Sequence, residues 1–418
     1  MNIDTTTAHT LTTRCCIAGG GPAGMMLGYL LARAGVPVVV LEKHADFLRD
    51  FRGDTVHPST LEVLDQIGLL QKFERLPQRK VDQLSVNIGG RVQPAIDFRG
   101  LKPFPYLSLV PQWDFLDLLA AEGRRYPSFD LRMRHEVVGL IGEGSHVTGV
   151  HVRSPQGELE IHAELVVGCD GRHSTTRDVA GLRVRDHGAP MDVLWFRLPR
   201  RDSDPQDTFG IIGTGHMMVL LNRTEYWQAA YLVPKGGADA LRAQPIDELR
   251  GAAAKLAPFL ADRTGALTAW ADVKTLEVRV DRLERWYRPG LLLIGDAAHA
   301  MSPIGGVGIN LAIQDAVAAA NALAPVLRAG RPVDEALLRT IQNRRLPPTK
   351  LIQTVQLQIQ KRVISRALAQ SGRPLEMPAM LRWLLRLQPV RQIPARLFGY
   401  GFRRERVRTA ELPPQGQA

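Results

Sequence analysis

Two clusters of residues in this 418-residue chain have the types and spacing to do chemistry. The first is Gly19-x-Gly21-x-x-Gly24, followed 18 residues after Gly24 by Glu42. Glycine at the first position permits a tight turn, at the second lets the backbone approach a pyrophosphate, and at the third lets a helix pack closely on a strand. Pro22 and Ala23 stand at a helix N-terminus that would face phosphates, and Glu42 would accept ribose hydroxyls, so the cluster reads as a dinucleotide site. The second cluster is Gly295-Asp296-Ala297-Ala298-His299, continued by Ser302-Pro303-Ile304-Gly305-Gly306-Val307-Gly308-Ile309-Asn310. A carboxylate at a strand end, then a glycine-rich loop feeding a helix, offers an acceptor for polyol hydroxyls and a positive helix end for an electron-rich ring.

Elements must carry these residues. Residues 15–18 are a short apolar run ending in glycines, 23–33 are rich in helix formers, Gly35 stands where a helix stops, and 36–40 are valine-rich. This is a βαβ opening, which implies a parallel sheet. Helices are expected at 57–70, 111–125 and 309–327, and strands at 135–142, 146–153 and 157–168. From about 192 to 280 the pattern turns to short strands, suiting a second, sheet-based unit. The remainder reads as helical, basic and interrupted by prolines.

Hydrophobic residues make up 45% of the chain and charged residues 23%, enough for a full core and against disorder. Three cysteines, two of them adjacent (Cys15 and Cys16, with Cys169), exclude a disulfide framework and fit a reducing cytosol. Residues 1–13 hold no Lys or Arg and no apolar run, so they read as a frayed tail rather than a targeting segment. Residues 15–32 are uncharged, but six helix breakers and turn formers, five of them glycine, argue against a membrane span. The net charge of +11 is a C-terminal feature: after Leu327, 18 Lys and Arg face 5 Asp and Glu, a balance of +13, which leaves the first 327 residues at −2. That segment has no zinc-ligand spacing and no RNP-like motif, so no nucleic-acid partner is expected. No His, Cys and carboxylate cluster has metal-ligand spacing, and no metal is expected. His299 reads as structural, and His57, before Pro58, as a solvated residue at a helix start, with a place beside the active site as the alternative.

GGGPAG with Glu42, then Cys169-Asp170-Gly171-Arg172-His173-Ser174 with Arg177, then GDAAHAMSPIGGVGIN, resemble the three fingerprints of the single-component FAD-dependent aromatic hydroxylases, the para-hydroxybenzoate hydroxylase-like family, which includes ubiquinone-biosynthesis hydroxylases. The resemblance spans roughly residues 14 to 345 in order. It implies that Gly19, Gly21, Pro22, Ala23 and Gly24 hold the FAD pyrophosphate, Glu42 the adenosine ribose, and Lys43 the neighbouring adenosine end. Arg52 would pair with pyrophosphate, Gln112 would touch the flavin side, and Val137 would lie on the strand that holds adenine. Asp170 and Gly171 match a motif tied to FAD and NAD(P)H. Asp296 would bind the ribityl chain, and the Gly308, Ile309 and Asn310 backbone would face the flavin pyrimidine edge. Pro303 would lie beside the reactive flavin carbon, so Pro303 and Gly308 stand as catalytic positions that place the flavin, with no acid or base side chain assigned. Cys169 stands where the family has alanine and reads as an inert buried thiol.

The resemblance implies an FAD-dependent monooxygenase that uses NAD(P)H and O2 to hydroxylate an aromatic substrate through a flavin C4a-hydroperoxide, and the large apolar residues Trp195, Phe196, Met217, Met218, Trp227 and Tyr231 of the second unit argue for a hydrophobic or polycyclic one. An FAD-dependent reductase of the same fold that only moves hydride, and a non-catalytic flavin-binding membrane-surface protein, are the alternatives. The implied fold is α/β. A discontinuous Rossmann-like FAD-binding domain with a parallel sheet (14–85, 108–190 and 280–340) interleaves with a mainly antiparallel substrate sheet (86–107 and 191–279), before a basic helical segment (341–418). Met218, Trp227 and Tyr231 are the candidate substrate contacts, although alternation alone does not say which set of side chains faces the flavin. In the last segment, Arg382 and Arg386 stand on one helix face and Trp383, Leu384 and Leu387 on another. That is the pattern of an interfacial helix touching a membrane, or of a basic face whose apolar side docks on the protein.

Overall fold

Residues 9–48, 55–369, 379–384 and 387–412 are described by the computed structural model, with the backbone alone at 9, 379, 381 and 382. The apolar run before the glycines is a strand, His9–Ala18, longer than expected because residues 9–13 extend it instead of fraying. It lies in parallel between Val38–Glu42 and Gly157–Gly168; Phe129–Met133 and Leu291–Leu293 continue the parallel sheet on either side. An antiparallel pair, Glu136–Glu143 and His146–Ser154, branches from Gly157–Gly168.

One face of this sheet buries the helices Pro22–Arg33, Gln112–Gly123 and Gly308–Arg328 in a single large core. Helix Pro22–Arg33 is buried from Ala23 to its end because it is enclosed between the sheet and Gly308–Arg328. That enclosure explains why its sequence is uncharged as far as Ala32. Among the described residues, one helix, Ile304–Arg328, is long and apolar enough to cross a membrane, and 78% of its most apolar stretch is buried inside the protein.

The second sheet has seven strands in the order Lys274–Leu276, Met191–Pro199, Tyr226–Pro234, Met217–Asn222, Thr208–Ile212, Gln83–Ile88 and Arg91–Asp97. All neighbours are antiparallel except Thr208–Ile212 with Gln83–Ile88. The back of this sheet is covered by Gly237–Arg242, Ile246–Leu256 and the turns of Pro258–Ala266. Its front faces Ile304 and the segment around Ile364 and Leu368.

The basic C-terminal segment is anchored at both ends. Glu335–Ile359 runs as one helix through Pro347 and Pro348, where interruptions were expected, because packing along its length outweighs the two missing N–H donors. Residues 403–412 return over the first domain: Leu412 N donates to Arg33 O at 2.9 Å, and Glu411 accepts from Tyr126 Oη at 3.0 Å and pairs with Arg33 at 2.8 Å.

Candidate active site

Parallel register places the three sequence fingerprints in one row. Ala18 pairs with Gly168 and Leu41, and Gly168 with Leu293, so the glycine turn, the Cys169-Asp170-Gly171 turn and the Gly295-Asp296 turn all leave the carboxyl ends of adjacent strands. Crevices outside these ends are where open α/β sheets bind ligands. The turns are in contact: Cys169 N donates to Ala18 O at 2.7 Å and Ile294 N to Gly168 O at 3.1 Å.

The three glycines of the first fingerprint do different things. Gly19 has φ +105°, and a Cβ there would stand 2.4 Å from Cys169 O; a Cβ on Gly24 would stand 2.0 Å from Gly19 O. Both positions close the turn. A Cβ on Gly21 would meet nothing within 4 Å, and Gly21 caps Pro22–Arg33 with no side-chain bond to the first turn. The Gly21 position is therefore an open cradle at a helix N-terminus, which fits a pyrophosphate. Glu42 is buried at the end of its strand, and accepts from Gly20 N at 3.1 Å and His44 N at 3.0 Å. Lys43 beside it is exposed, Val137 is buried on Glu136–Glu143, and Gln112 is half-buried at the start of its helix. Arg52 lies outside the described residues.

Asp296 is one-third exposed and sits 3.9 Å from the Arg172 guanidinium, which joins the second and third fingerprints. Asp170 is turned into its own loop: its oxygens accept from Ser174 Oγ (2.5 Å), Thr176 Oγ1 (2.9 Å) and Thr176 N (2.9 Å). The Asn310 side chain is likewise engaged, accepting from Ser59 Oγ at 2.5 Å and Thr60 Oγ1 at 2.9 Å, while the first turn of Gly308–Arg328 has no side-chain cap. The backbone N–H groups at Gly308, Ile309 and Asn310 are thus the positive end that could face an electron-rich ring. Pro303 opens the turn Ile304–Gly306 just before them. All three thiols are buried, and burial pushes Cys16 up to about 12, which suits inert packing and not nucleophilic chemistry.

The two histidines resolve differently. His299 is buried against Trp286, with Nε2 2.6 Å from Asp315, and its role is structural. His57 is not solvated: it is 1% exposed, covered by the Gly305–Gly306 stretch of the distant loop, with neither ring nitrogen in a hydrogen bond of normal geometry. Burial pushes its pKa down to about 4, against a weaker opposing pull from the Gly305 and Gly306 backbone. The folded value lies below the ordinary one of about 6.5, so unfolded chain holds the extra proton between the two. Stability is therefore complete above about pH 6.5 and falls as the pH drops towards 4, by about 2 kcal/mol at pH 5. His57→Phe should remove that component; urea titrations at pH 7 and pH 5 showing the same loss in variant and parent would refute it.

The substrate candidates fall on the face that the helices cover. Met218, Trp227 and Tyr231 are buried on the back of the seven-stranded sheet among Phe196, Phe209 and Leu249; Trp227 Nε1 donates to Asp204 at 2.9 Å and Tyr231 Oη lies 2.6 Å from His216. Their alternates point forward. The front row reads Trp195, Ala230, Val219, Gly210 and Val86 across five strands, and a Cβ on Gly210 would meet nothing within 4 Å. The front side also carries Val193, Met217 and Leu232, packed with Ile304 from the loop after Pro303.

A sequence model of the family described as FAD binding domain matches residues 12–355. Among curated relatives, the 6-methylpretetramide 4-monooxygenase of Streptomyces rimosus is 34% identical over 84% of this chain and 85% of its own length. A 12-dehydrotetracycline 5-monooxygenase/anhydrotetracycline 6-monooxygenase of the same species is 32% identical over 72% of this chain, and the match spans 60% of that longer protein. Among solved structures, the anhydrotetracycline hydroxylase OxyS from Streptomyces rimosus superposes with a TM-score of 0.73 at 25% identity, covering 93% of this chain and 76% of OxyS.

Proposed function

We infer, for a chain that belongs to the FAD binding domain family of flavin-dependent aromatic monooxygenases, that the front of the seven-stranded sheet around Gly210 receives a hydrophobic, polycyclic aromatic substrate. The chain is an FAD-dependent monooxygenase, and enzymes of its class draw electrons from NAD(P)H and oxygen from O2. Bound FAD supplies the redox chemistry; the protein binds it, orients it and keeps water away from the reacting ring. In this reading Gly19, Gly21, Pro22, Ala23 and Gly24 hold the pyrophosphate, and Glu42, Lys43 and Val137 the adenosine end. Gln112, Asp296 and the Gly308, Ile309 and Asn310 backbone take the flavin half, with Pro303 beside the reactive face. Asp170 contributes by holding its turn rather than by touching the cofactor.

The observation that carries the substrate reading is on the front row of the sheet, where Gly210 has no side chain and an added Cβ would meet nothing within 4 Å, between Val219 and Val86. The relatives named for 6-methylpretetramide and anhydrotetracycline point to the same class of compound. NAD(P)H oxidation and O2 consumption across phenols, quinolones and polyketide aromatics, with products weighed, tests it. Gly210→Phe should fill the space and lower kcat/KM about tenfold or more, with FAD content unchanged. Undiminished turnover of the best substrate by that variant would place the substrate elsewhere.

We further propose that this cytosolic enzyme visits an anionic membrane surface through its C-terminal segment. Met380, Trp383, Leu387, Ile393 and Phe402 are large, apolar and exposed, within the part of the chain that carries the positive charge. Arg386 and the side chain of Arg382 lie outside the described residues. Truncation is a poor test, because Phe398 and Glu405 are buried and hold the first domain. Trp383→Ser with Ile393→Ser should instead reduce co-flotation with phosphatidylserine vesicles at low salt, and a parent protein that never co-floats would end the idea.

A further inference from the structure

The helix Glu335–Ile359 and the π turn Gln360–Ile364 bury a stripe that is polar where a core-facing stripe is ordinarily apolar. Gln342, Arg345, Thr349, Gln353, Gln356 and Gln360 recur at intervals of three and four, so they share one face, and all six are buried. The glutamines hold the backbone of residues 281–304 along its length. Gln342 accepts from Trp286 N at 2.9 Å and donates to Glu284 O at 3.0 Å. Gln353 donates to Asp281 O at 2.7 Å and Ala300 O at 3.1 Å. Gln356 donates to Ser302 O at 2.9 Å and Ile304 O at 2.8 Å, one on each side of Pro303, and Gln360 donates to Ser302 Oγ at 2.9 Å. Beyond Gln360 the π turn leads to Ile364 and Leu368, which pack on the front of the seven-stranded sheet with Val193, Ala230 and Leu232.

Stability alone does not select such a seam. An apolar stripe would bury without desolvating amides, and Gln356 and Gln360 each leave Oε1 buried with no hydrogen-bond partner. What the two amides provide is a fixed position for the carbonyls and the hydroxyl that flank Pro303. A π turn, uncommon elsewhere and frequent at functional sites, stands where this helix passes from the loop to the substrate sheet. We propose that Gln356 and Gln360 are positioning residues: they set the loop at Pro303 against the flavin and tie it to the sheet face where substrate lies. This rests on the flavin reading above.

Holoenzyme variants decide it. Gln356→Met and Gln360→Met keep the side-chain length without the donor. Each should weaken FAD binding about tenfold, the worth of a buried hydrogen bond or two, and shift the visible absorption of the bound flavin. Gln342→Met, on the same stripe but away from the loop, should lower the thermal midpoint and leave FAD affinity and spectrum unchanged. Ser302→Ala removes the partner of Gln360 from the other side, so Ser302→Ala with Gln360→Met should be no worse than either alone. Parental FAD affinity and spectrum in the glutamine variants, or additive effects of Ser302→Ala and Gln360→Met, would overturn the proposal. Should Gln356→Met fail to fold, Gln360→Met, which loses only a bond to a hydroxyl, still reads it. A parent protein that binds no FAD would instead overturn the flavin reading itself, so the two failures are distinguishable.

Discussion

Gly21→Val is expected to yield a folded protein stripped of FAD, whereas Gly24→Val, three residues on, is expected to fail at folding. The same glycine pattern contains both positions, and their surroundings separate them. At Gly21 φ is −74°, an ordinary value, and an added Cβ meets nothing within 4 Å, so the fold accepts a side chain at a cost of about 1 kcal/mol for a poor helix cap. The space it enters is the space a pyrophosphate needs, against the uncapped first turn of Pro22–Arg33. At Gly24 the added atom would stand 2.0 Å from Gly19 O, inside the turn that joins strand to helix, and the helix would have to leave the sheet. The ratio of flavin to protein absorbance, read beside thermal unfolding, checks both. A Gly21→Val protein with full flavin would mean that the phosphates do not pass over that turn, and a well-folded Gly24→Val would mean that the helix does not depend on its close approach.

The glycine, Asp-Gly and Gly-Asp turns were legible in the sequence because their requirements are local: a positive φ, a missing Cβ, a helix start. Parallel register then follows from the βαβ opening and brings the three turns into one row. The facing of the second sheet was not legible. Period-2 alternation divides the strand residues into two sets, but which set meets the flavin domain depends on the layers packed against each side. Met218, Trp227 and Tyr231 are large and apolar, and such residues equally fill a closed core, here under Ile246–Leu256, whereas Trp195 and Met217 on the same strands stand on the other side. The other face has room at Gly210, whose missing side chain reads in a sequence as nothing at all. His57 misled for a related reason. A polar residue before a proline looks solvated, and only the fold brings the Gly305–Gly306 backbone over it. The stripe from Gln342 to Gln360 has helical spacing in plain view, yet a polar face is ordinarily taken as the one turned to water.

Arg345→Met should be the most damaging single change far from the cofactor. Arg345 and Asp315 are fully buried, with Nε 2.8 Å from Oδ1, and the other Asp315 oxygen receives His299 Nε2 at 2.6 Å and Gly295 N at 3.1 Å. Arg345 also donates to Arg403 O at 3.1 Å and lies 3.4 Å from the buried Glu405, so one guanidinium joins the Gly295 turn to the returning C-terminus. Without it two carboxylates remain buried with their compensation reduced. Removing one partner of a buried pair costs roughly 3–5 kcal/mol, and over a chain of this length that lowers the thermal midpoint by roughly 3–6 °C. The pH dependence should change as well. Burial alone would raise the Asp315 pKa, but His299 and Arg345 outweigh it and hold it below the ordinary carboxylate value. Its stabilisation is therefore present above that ordinary value and is lost as the pH falls through the depressed one. In Arg345→Met the depression shrinks, so acid unfolding should begin at higher pH than in the parent. Because Gly295 precedes Asp296, the variant should also bind FAD more weakly, an effect a purely distant packing defect would not produce. Unchanged acid unfolding and unchanged FAD affinity in a folded Arg345→Met protein would show that His299 and Gly295 N hold Asp315 without Arg345.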